Sequence, residues 1–432
     1  MQSSLKKPLL VLFISAIAVA SAANAVTLEE KVEILTQEVE ELKQQRGQQP
    51  AADKTVLPDA AAVEAHGSSS ESRVVGHGAG SAGKTRVGGY GELHFNNLEN
   101  QQTGVGKDEI DFHRFIIFLG HSFTDRMRFF SELEFEHSLV KDNGDATCAD
   151  ANADGIIQSG ECAKSNGKGP GEIELEQAFV EFDLGERAIA QAGLFVLPVG
   201  IINETHEPPT FYGVERNPVE TNIIPTTWWE GGGQMIFRLP AGLSANVAYT
   251  SGLKVGSDFS IRGGRQKVAS AVANDPAYSA RLKWTGIPGL EVAGTVVYQK
   301  DIGQGLVAGL EDATLLETHV VFSKGPFALR ALYATWDLNG AAPKAVGADE
   351  QTGYYVEPSL RFGPIGVFVR YNMWDTKASD TTASERTQID AGVNYWPHEQ
   401  VVIKADIQKQ DNDLPASNNE NDGFNLGVGY MF

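Results

Sequence analysis

From Lys84 to the C-terminus the chain alternates apolar and polar positions with a period of two. In IGVFVRYNMW, Ile365, Val367, Val369, Tyr371 and Met373 share one face, and Gly366, Phe368, Arg370, Asn372 and Trp374 the other. QVVIKADIQKQ sets Val401, Ile403, Ala405 and Ile407 against Val402, Lys404, Asp406 and Gln408, and LSANVAYT behaves likewise. Each run predicts a β-strand with one greasy and one wet face. Sixteen such strands are predicted, near 86–98, 110–122, 126–137, 172–183, 187–197, 232–239, 243–251, 278–285, 290–300, 311–323, 327–337, 351–362, 365–376, 385–396, 400–410 and 421–432.

The connections divide by parity. After each even-numbered strand up to the fourteenth comes a tight turn (TD, LGE, PAG, GIPG, KGP, GP, PHE), whereas the links after odd-numbered strands are usually longer. A sandwich has no reason to keep all its short turns at one end. A closed transmembrane barrel does, with short periplasmic turns and long external loops. The expected fold is therefore an all-β transmembrane barrel of about 16 antiparallel strands over residues 84–432. Aromatic residues near strand ends (Trp284, Tyr298, Trp336, Trp374, Tyr395, Trp396) suggest interface girdles, with core packing as the alternative for any one of them.

Ahead of the barrel the pattern changes three times. Residues 1–25 carry Lys6 and Lys7, an apolar run and Ala23-Asn24-Ala25, the plan of a cleaved secretory signal. Residues 26–46 space Leu28, Val32, Leu35, Val39 and Leu42 as the a/d seam of a short periplasmic coiled coil, with cell-wall contact through that segment as one expected use. About two heptads cannot hold an assembly by themselves. Residues 47–83, rich in Ala, Gly, Ser and Gln, bury too little to fold and are expected to form a flexible linker. GAGSAGKT (Gly78 to Thr85) matches a phosphate loop by letter, but a glycine-broken strand follows where that motif needs a helix, so linker is the expected reading.

A formal net charge of −21 argues against a nucleic-acid partner, since such a chain repels phosphate backbones. The only two cysteines, Cys148 and Cys162, bracket ADANADGIIQSGE. A secreted chain permits the pair to form a disulfide. Between them Asp150, Asn152, Asp154, Ile156 (through its carbonyl), Gln158 and Glu161 stand at the spacing of a Ca²⁺ loop, with Gly155 at its sharp turn. A structural Ca²⁺ is expected there, clamped by the disulfide in place of flanking helices.

The coiled-coil segment, the barrel and the element GLFVLPVGIINETHEPPTFYGVERNPVETNIIPTTWWEGGGQM (Gly193 to Met235) together resemble the phosphate-selective porin O/P family. The match rests on Phe195, Pro198 and Gly200, a long loop holding Glu215 and Arg216, and a glycine-led strand at Gly231. The resemblance implies a homotrimeric outer-membrane barrel, embedded in lipid, that passes small hydrophilic solutes, with Arg and Lys along the pore where phosphate is selected.

The wet faces of this chain depart from such a ladder. Glu132, Glu134 and Glu136 on one strand and Glu172, Glu174 and Glu176 on the next form an acidic wall. The third long loop, expected to fold inward, carries Glu204, His206, Glu207, Glu215 and Arg216; later strands contribute Arg281, Lys283, Arg330, Arg361, Arg370 and Lys404. These residues are expected to line the pore, acids facing bases across a constriction, with weak cation preference at most. NETHEPP is expected to be polar lining, since a lone His among loop carboxylates makes a poor metal site. A competing function is a surface adhesin or envelope tether whose working part is the calcium-clamped loop. No G-x-S-x-G is present, so hydrolase chemistry is disfavoured.

Overall fold

The computed structural model describes residues 84–100, 104, 106–138, 147–148, 162–163, 171–380, 384–412 and 421–432. The predicted signal, coiled coil and linker, and the candidate Ca²⁺ ligands Asp150, Asn152, Asp154, Ile156, Gln158 and Glu161, lie outside them.

Sixteen strands close into one antiparallel barrel in which every strand pairs with its neighbours in sequence and the last returns to the first. In order they are β1 Thr85–Asn100, β2 Gly106–Ser122, β3 Met127–Glu136, β4 Ile173–Asp183, β5 Ala188–Val196, β6 Trp229–Arg238, β7 Leu243–Thr250 and β8 Ala277–Ile287. The second half comprises β9 Leu290–Gln299, β10 Ala313–Lys324, β11 Phe327–Leu338, β12 Glu350–Phe362, β13 Ile365–Asp375, β14 Arg386–His398, β15 Val401–Asn412 and β16 Asn421–Met431. Every predicted strand is present, and the short turns all fall at one end. Thr85 already pairs in β1, so the phosphate-loop match runs into a strand and has no helix to complete it.

Alternation decides which face meets what. Val367, Val369 and Tyr371 on β13, Ile403 and Ile407 on β15, and Phe424, Leu426 and Val428 on β16 are all exposed, while Arg370, Asn372, Lys404, Asp406 and Asn425 are buried. An outer surface of large aliphatic and aromatic side chains around a polar interior is the inversion that lipid demands. Three predicted girdle residues belong inside instead. Trp336, Trp374 and Trp396 are buried, and Trp336 and Trp396 donate their Nε1–H to Ile223 O at 2.9 Å and Pro209 O at 3.1 Å. Spacing along a strand cannot separate a girdle aromatic from an inward one when a loop packs inside the barrel.

That loop, residues 197–228 between β5 and β6, positions everything functional. Leu197, Val199, Val219, Ile223, Ile224 and Trp228 are fully buried and pack with inward wall residues Tyr90, Phe118, Phe130, Phe179, Leu332 and Trp336. Sequestering this apolar surface drives the loop inward. Gly200 shows why the resemblance motif ends in glycine: its φ is +76°, and a Cβ there would stand 2.6 Å from Glu220 Oε2.

Candidate channel constriction

An irregular segment at membrane depth must find partners for its peptide groups within the protein. The carbonyls of five consecutive loop residues each receive a donor from the wall. Pro209 O accepts from Trp396 Nε1 (3.1 Å), Thr210 O from Arg330 Nη2 (2.7 Å), Phe211 O from Asn394 Nδ2 (3.2 Å), Tyr212 O from Arg370 Nη1 (3.3 Å) and Gly213 O from Lys404 Nζ (2.8 Å). The next residue reverses the polarity, Val214 N–H donating to Asp406 Oδ2 at 2.7 Å. These donors come from β11, β13, β14 and β15, so one short stretch is fastened to a quarter of the wall.

Arg330, Arg370 and Lys404, expected to line the pore, are therefore engaged in holding the loop. Arg370 in addition pairs with Glu357 (3.0 Å) and Asp390 (2.9 Å). Arg281 forks onto Glu204 of the loop, and Lys283 lies 3.6 Å from Glu291. Arg361 sits at the short-turn end, its guanidinium 4.2 Å from the centre of the Trp396 ring. None of these six cations faces an acidic wall across an open gap as the strand pattern suggested. Inward orientation is legible from alternation and the loop's inward course from its length; which wall residues it covers is not.

The acidic wall assembles as expected, because β3 and β4 are neighbours. Its members differ in environment. Glu132, Glu134 and Glu176 are buried, and Glu134 lies 3.4 Å from Arg114, an inward cation of β2 that the strand reading passed over. Glu136 and Glu174 are half-buried and Glu172 is exposed. Lys267 bridges Glu172, at 3.0 Å, and Glu174. On the loop, His206 approaches Glu132 and Glu176, Glu207 is buried, and Glu215 accepts from Asn96 Nδ2 at 3.0 Å beside His94 Nδ1 at 3.1 Å.

A second inserted loop supplies what the sequence reading missed. Residues 251–276, between β7 and β8, carry IRGGRQK, in which Arg262, Arg265 and Lys267 recur within one turn of chain. Arg262 Nη1 donates to Thr226 O and Arg265 Nη1 to Thr227 O, both at 2.5 Å, while Arg216 Nη1 donates to Thr227 Oγ1 at 2.7 Å. Three half-buried guanidiniums thus converge on one corner of the inner loop. Among the described residues none of the three forms an ion pair; their partners are neutral oxygens. Burial, then the neighbouring charges of Arg265, Arg216 and Arg114, bring Arg262 down to about 9. The usable signal was a basic triplet inside a long loop, where strand alternation says nothing.

Guanidinium forks of this kind suit carboxylate or phosphate oxygens.

Comparison with known proteins is consistent with this architecture. A family model described as Gram-negative porin matches residues 12–416. An uncharacterized protein of Aquifex aeolicus is 26% identical over 388 residues, spanning 80% of this chain and 79% of the relative. Among solved structures, the anion-selective porin from Comamonas acidovorans aligns with a TM-score of 0.56 at 12% identity, covering 81% of this chain and 99% of the other. Salmonella typhi OmpF in complex with daunomycin aligns with a TM-score of 0.53 at 13% identity (82% and 98% covered). The outer membrane channel DcaP of Acinetobacter baumannii aligns at 0.51 and 12% identity (83% and 99% covered). These structural likenesses establish the shared barrel.

Proposed function

The chain belongs to the Gram-negative porins, outer-membrane channels for small solutes and not enzymes, and from that premise we propose that its constriction favours small hydrophilic anions. The observation that carries this reading is the convergence of Arg216, Arg262 and Arg265 on neutral partners at the junction of the two inserted loops. Of the acids whose charge reaches Arg265, Glu174 is engaged by Lys267, while Glu176 and Glu136 oppose the corner in part. In this reading three guanidiniums gathered at one corner outweigh those acids, which would reverse the weak cation preference expected from the acidic strands. One solved porin of the same fold is anion-selective, but at 12% identity it lends the fold alone, so the reading rests on the three arginines. Phosphate, which the O/P resemblance suggests and the acidic strands put in doubt, is one member of the solute class such guanidiniums accept.

The test is a reversal potential across a planar bilayer in a potassium chloride gradient. Wild type should favour chloride, and R262Q/R265Q should move the reversal potential toward the potassium side. An unchanged potential would rule out the two arginines as selectivity determinants. A protein that conducts no current at all would favour the adhesin reading.

In the same proposal three barrels assemble side by side, residues 26–46 lie in the periplasm, and the Cys148–Cys162 loop holds Ca²⁺. Support for the bracket comes from the backbone: Thr147–Cys148 and Cys162–Ala163 form a two-residue antiparallel ladder with Cys148 directly opposite Cys162. Residues so placed have Cα atoms about 4.5–5.5 Å apart, within the span of a disulfide. Thiol titration of the denatured, unreduced protein should find no free thiol. Finding both cysteines reactive would remove the clamp.

A further inference from the structure

We propose that Glu132, Glu176 and His206 form a binding site for a divalent transition-metal ion, zinc being the best match to the donor set, that staples the inner loop to the barrel wall. The three side chains come from β3, β4 and the loop 197–228, and they are 1%, 1% and 2% exposed. His206 Nε2 stands 3.4 Å from Glu132 Oε1 and 3.7 Å from Glu176 Oε2, and all three donor atoms lie within 4.8 Å of one another. Metal–ligand bonds of about 2.0–2.2 Å in tetrahedral geometry put neighbouring ligand atoms ~3.4 Å apart, close to the two His206–carboxylate separations, with all three donor atoms inside 4.8 Å.

The surroundings prepare each donor. His206 Nδ1 lies 3.1 Å from the Asn203 carbonyl, which can only accept. The proton is thereby held on Nδ1, and Nε2 presents its lone pair to the two carboxylates, the arrangement found around metal-bound imidazoles. Gln177 Nε2 donates to Glu132 Oε2 at 2.6 Å, and Glu132 Oε1 stands 3.4 Å from His206 Nε2. β4 carries a bulge at Glu176: Glu132 pairs with Gln177 but Leu133 with Leu175, so Glu176 is the extra residue, and it and Gln177 are both buried. A bulge of this kind re-aims a side chain.

Two observations beyond the triangle point to a cation. Glu176 Oε2 is fully buried and has no hydrogen-bond partner although it points at His206 Nε2. The Tyr90 hydroxyl is likewise buried without a partner, and its ring meets the His206 ring edge-on at 6.0 Å between centroids. An unpaired carboxylate oxygen in such a place costs far more than a surface one. No arginine forms an ion pair with Glu176 among the described residues, and Arg114 is held by Glu92 at 2.8 Å and Glu134 at 3.4 Å. One imidazole nitrogen and two carboxylate oxygens form a donor set that a single divalent ion can satisfy. Nitrogen plus carboxylate donors suit zinc better than calcium or magnesium, which take oxygen alone.

Taken alone, NETHEPP holds one imidazole among loop carboxylates. The wall strands supply the missing ligands, which is why spacing along the chain did not reveal the site.

The test uses the full-length protein purified in detergent, unfolded in urea with EDTA, and refolded with zinc chloride or cobalt chloride. After dialysis the wild type should retain about one zinc per chain by mass spectrometry. The cobalt form should show the intense visible bands of a tetrahedral ion. H206Q and E176Q, checked for folding by their heat-modifiable mobility on gels, should lose zinc to a competing chelator at about tenfold lower chelator concentration, or more readily still. Should a variant fail to fold, the wild-type cobalt spectrum and its displacement by zinc decide the matter. The proposal is overturned if refolded wild type keeps less than about a tenth of an equivalent of zinc. It is equally overturned if both folded variants hold the metal as wild type does, since the ion would then be bound elsewhere.

Discussion

Replacing Arg370 with alanine should destabilise the folded barrel by about 3–5 kcal/mol, read as a lowered urea midpoint in lipid vesicles. Arg370 is buried between Asp390, 2.9 Å from its Nε, and Glu357, 3.0 Å from its Nη1, while Nη1 also caps Tyr212 O. Asn372 and Gln388 add hydrogen bonds to Asp390 at 2.9 and 2.6 Å, fixing that carboxylate where it stands. Alanine would strand two carboxylates inside the barrel and free a loop carbonyl at the same moment. The triple change R370M/E357Q/D390N removes the charges together and should recover most of the loss, because an isolated buried charge is costlier than none. Lysine at the same position keeps the charge but not the fork, so R370K should fall between. A midpoint for R370A indistinguishable from wild type would mean that these groups are hydrated from the lumen and that the clamp contributes little.

Glu220→Ala should loosen the inner loop and raise single-channel conductance. Glu220 Oε2 accepts from the N–H groups of Ile201 and Ile202 at 2.9 and 2.6 Å, and Oε1 from the Tyr355 hydroxyl at 2.7 Å. It thus ties the beginning of the loop to a short helix, α1 Pro218–Asn222, and that helix to β12. The helix is set up locally: Asn217 Oδ1 accepts from Glu220 N at 2.8 Å and Pro218 opens the first turn. Burial pushes the Glu220 carboxyl above its usual range, against the hydrogen bonds from Tyr355 and Ile202 that favour its charge. Alanine would take the acceptor from four buried donors, Asn217 Nδ2 at 3.4 Å being the fourth, each left unpaired at a cost of about 1–3 kcal/mol. The loop should then open locally before the barrel does, seen as protease cutting within residues 197–228 together with larger current steps. Glutamine keeps an acceptor oxygen, so E220Q should change conductance less. Unaltered conductance in E220A would mean that this loop does not set the narrowest passage.

The arginine corner and the acidic wall show how far residue patterns carry a channel reading. Glu132 to Glu136 and Glu172 to Glu176 were placed side by side from strand order alone, since consecutive antiparallel strands must pair. Their electrostatic weight was not legible, because it depends on Lys267, Arg114 and His206, which arrive from elsewhere in the chain. Arg330, Arg370 and Lys404 were correctly read as inward-facing. Their work on loop carbonyls could not be inferred from a strand repeat.

The chain's own pattern determined the barrel: sixteen alternating runs, the inside and outside of each, and the end at which the short turns gather. Those properties are local, set by a side-chain period of two and by turn chemistry acting over a few residues. Only the tertiary structure decided which inward residues meet the channel, which fasten the inserted loop, and which gather around His206. Contacts across the interior join residues far apart in sequence, such as Glu132 with His206 and Tyr212 with Arg370, and no period along the chain records them.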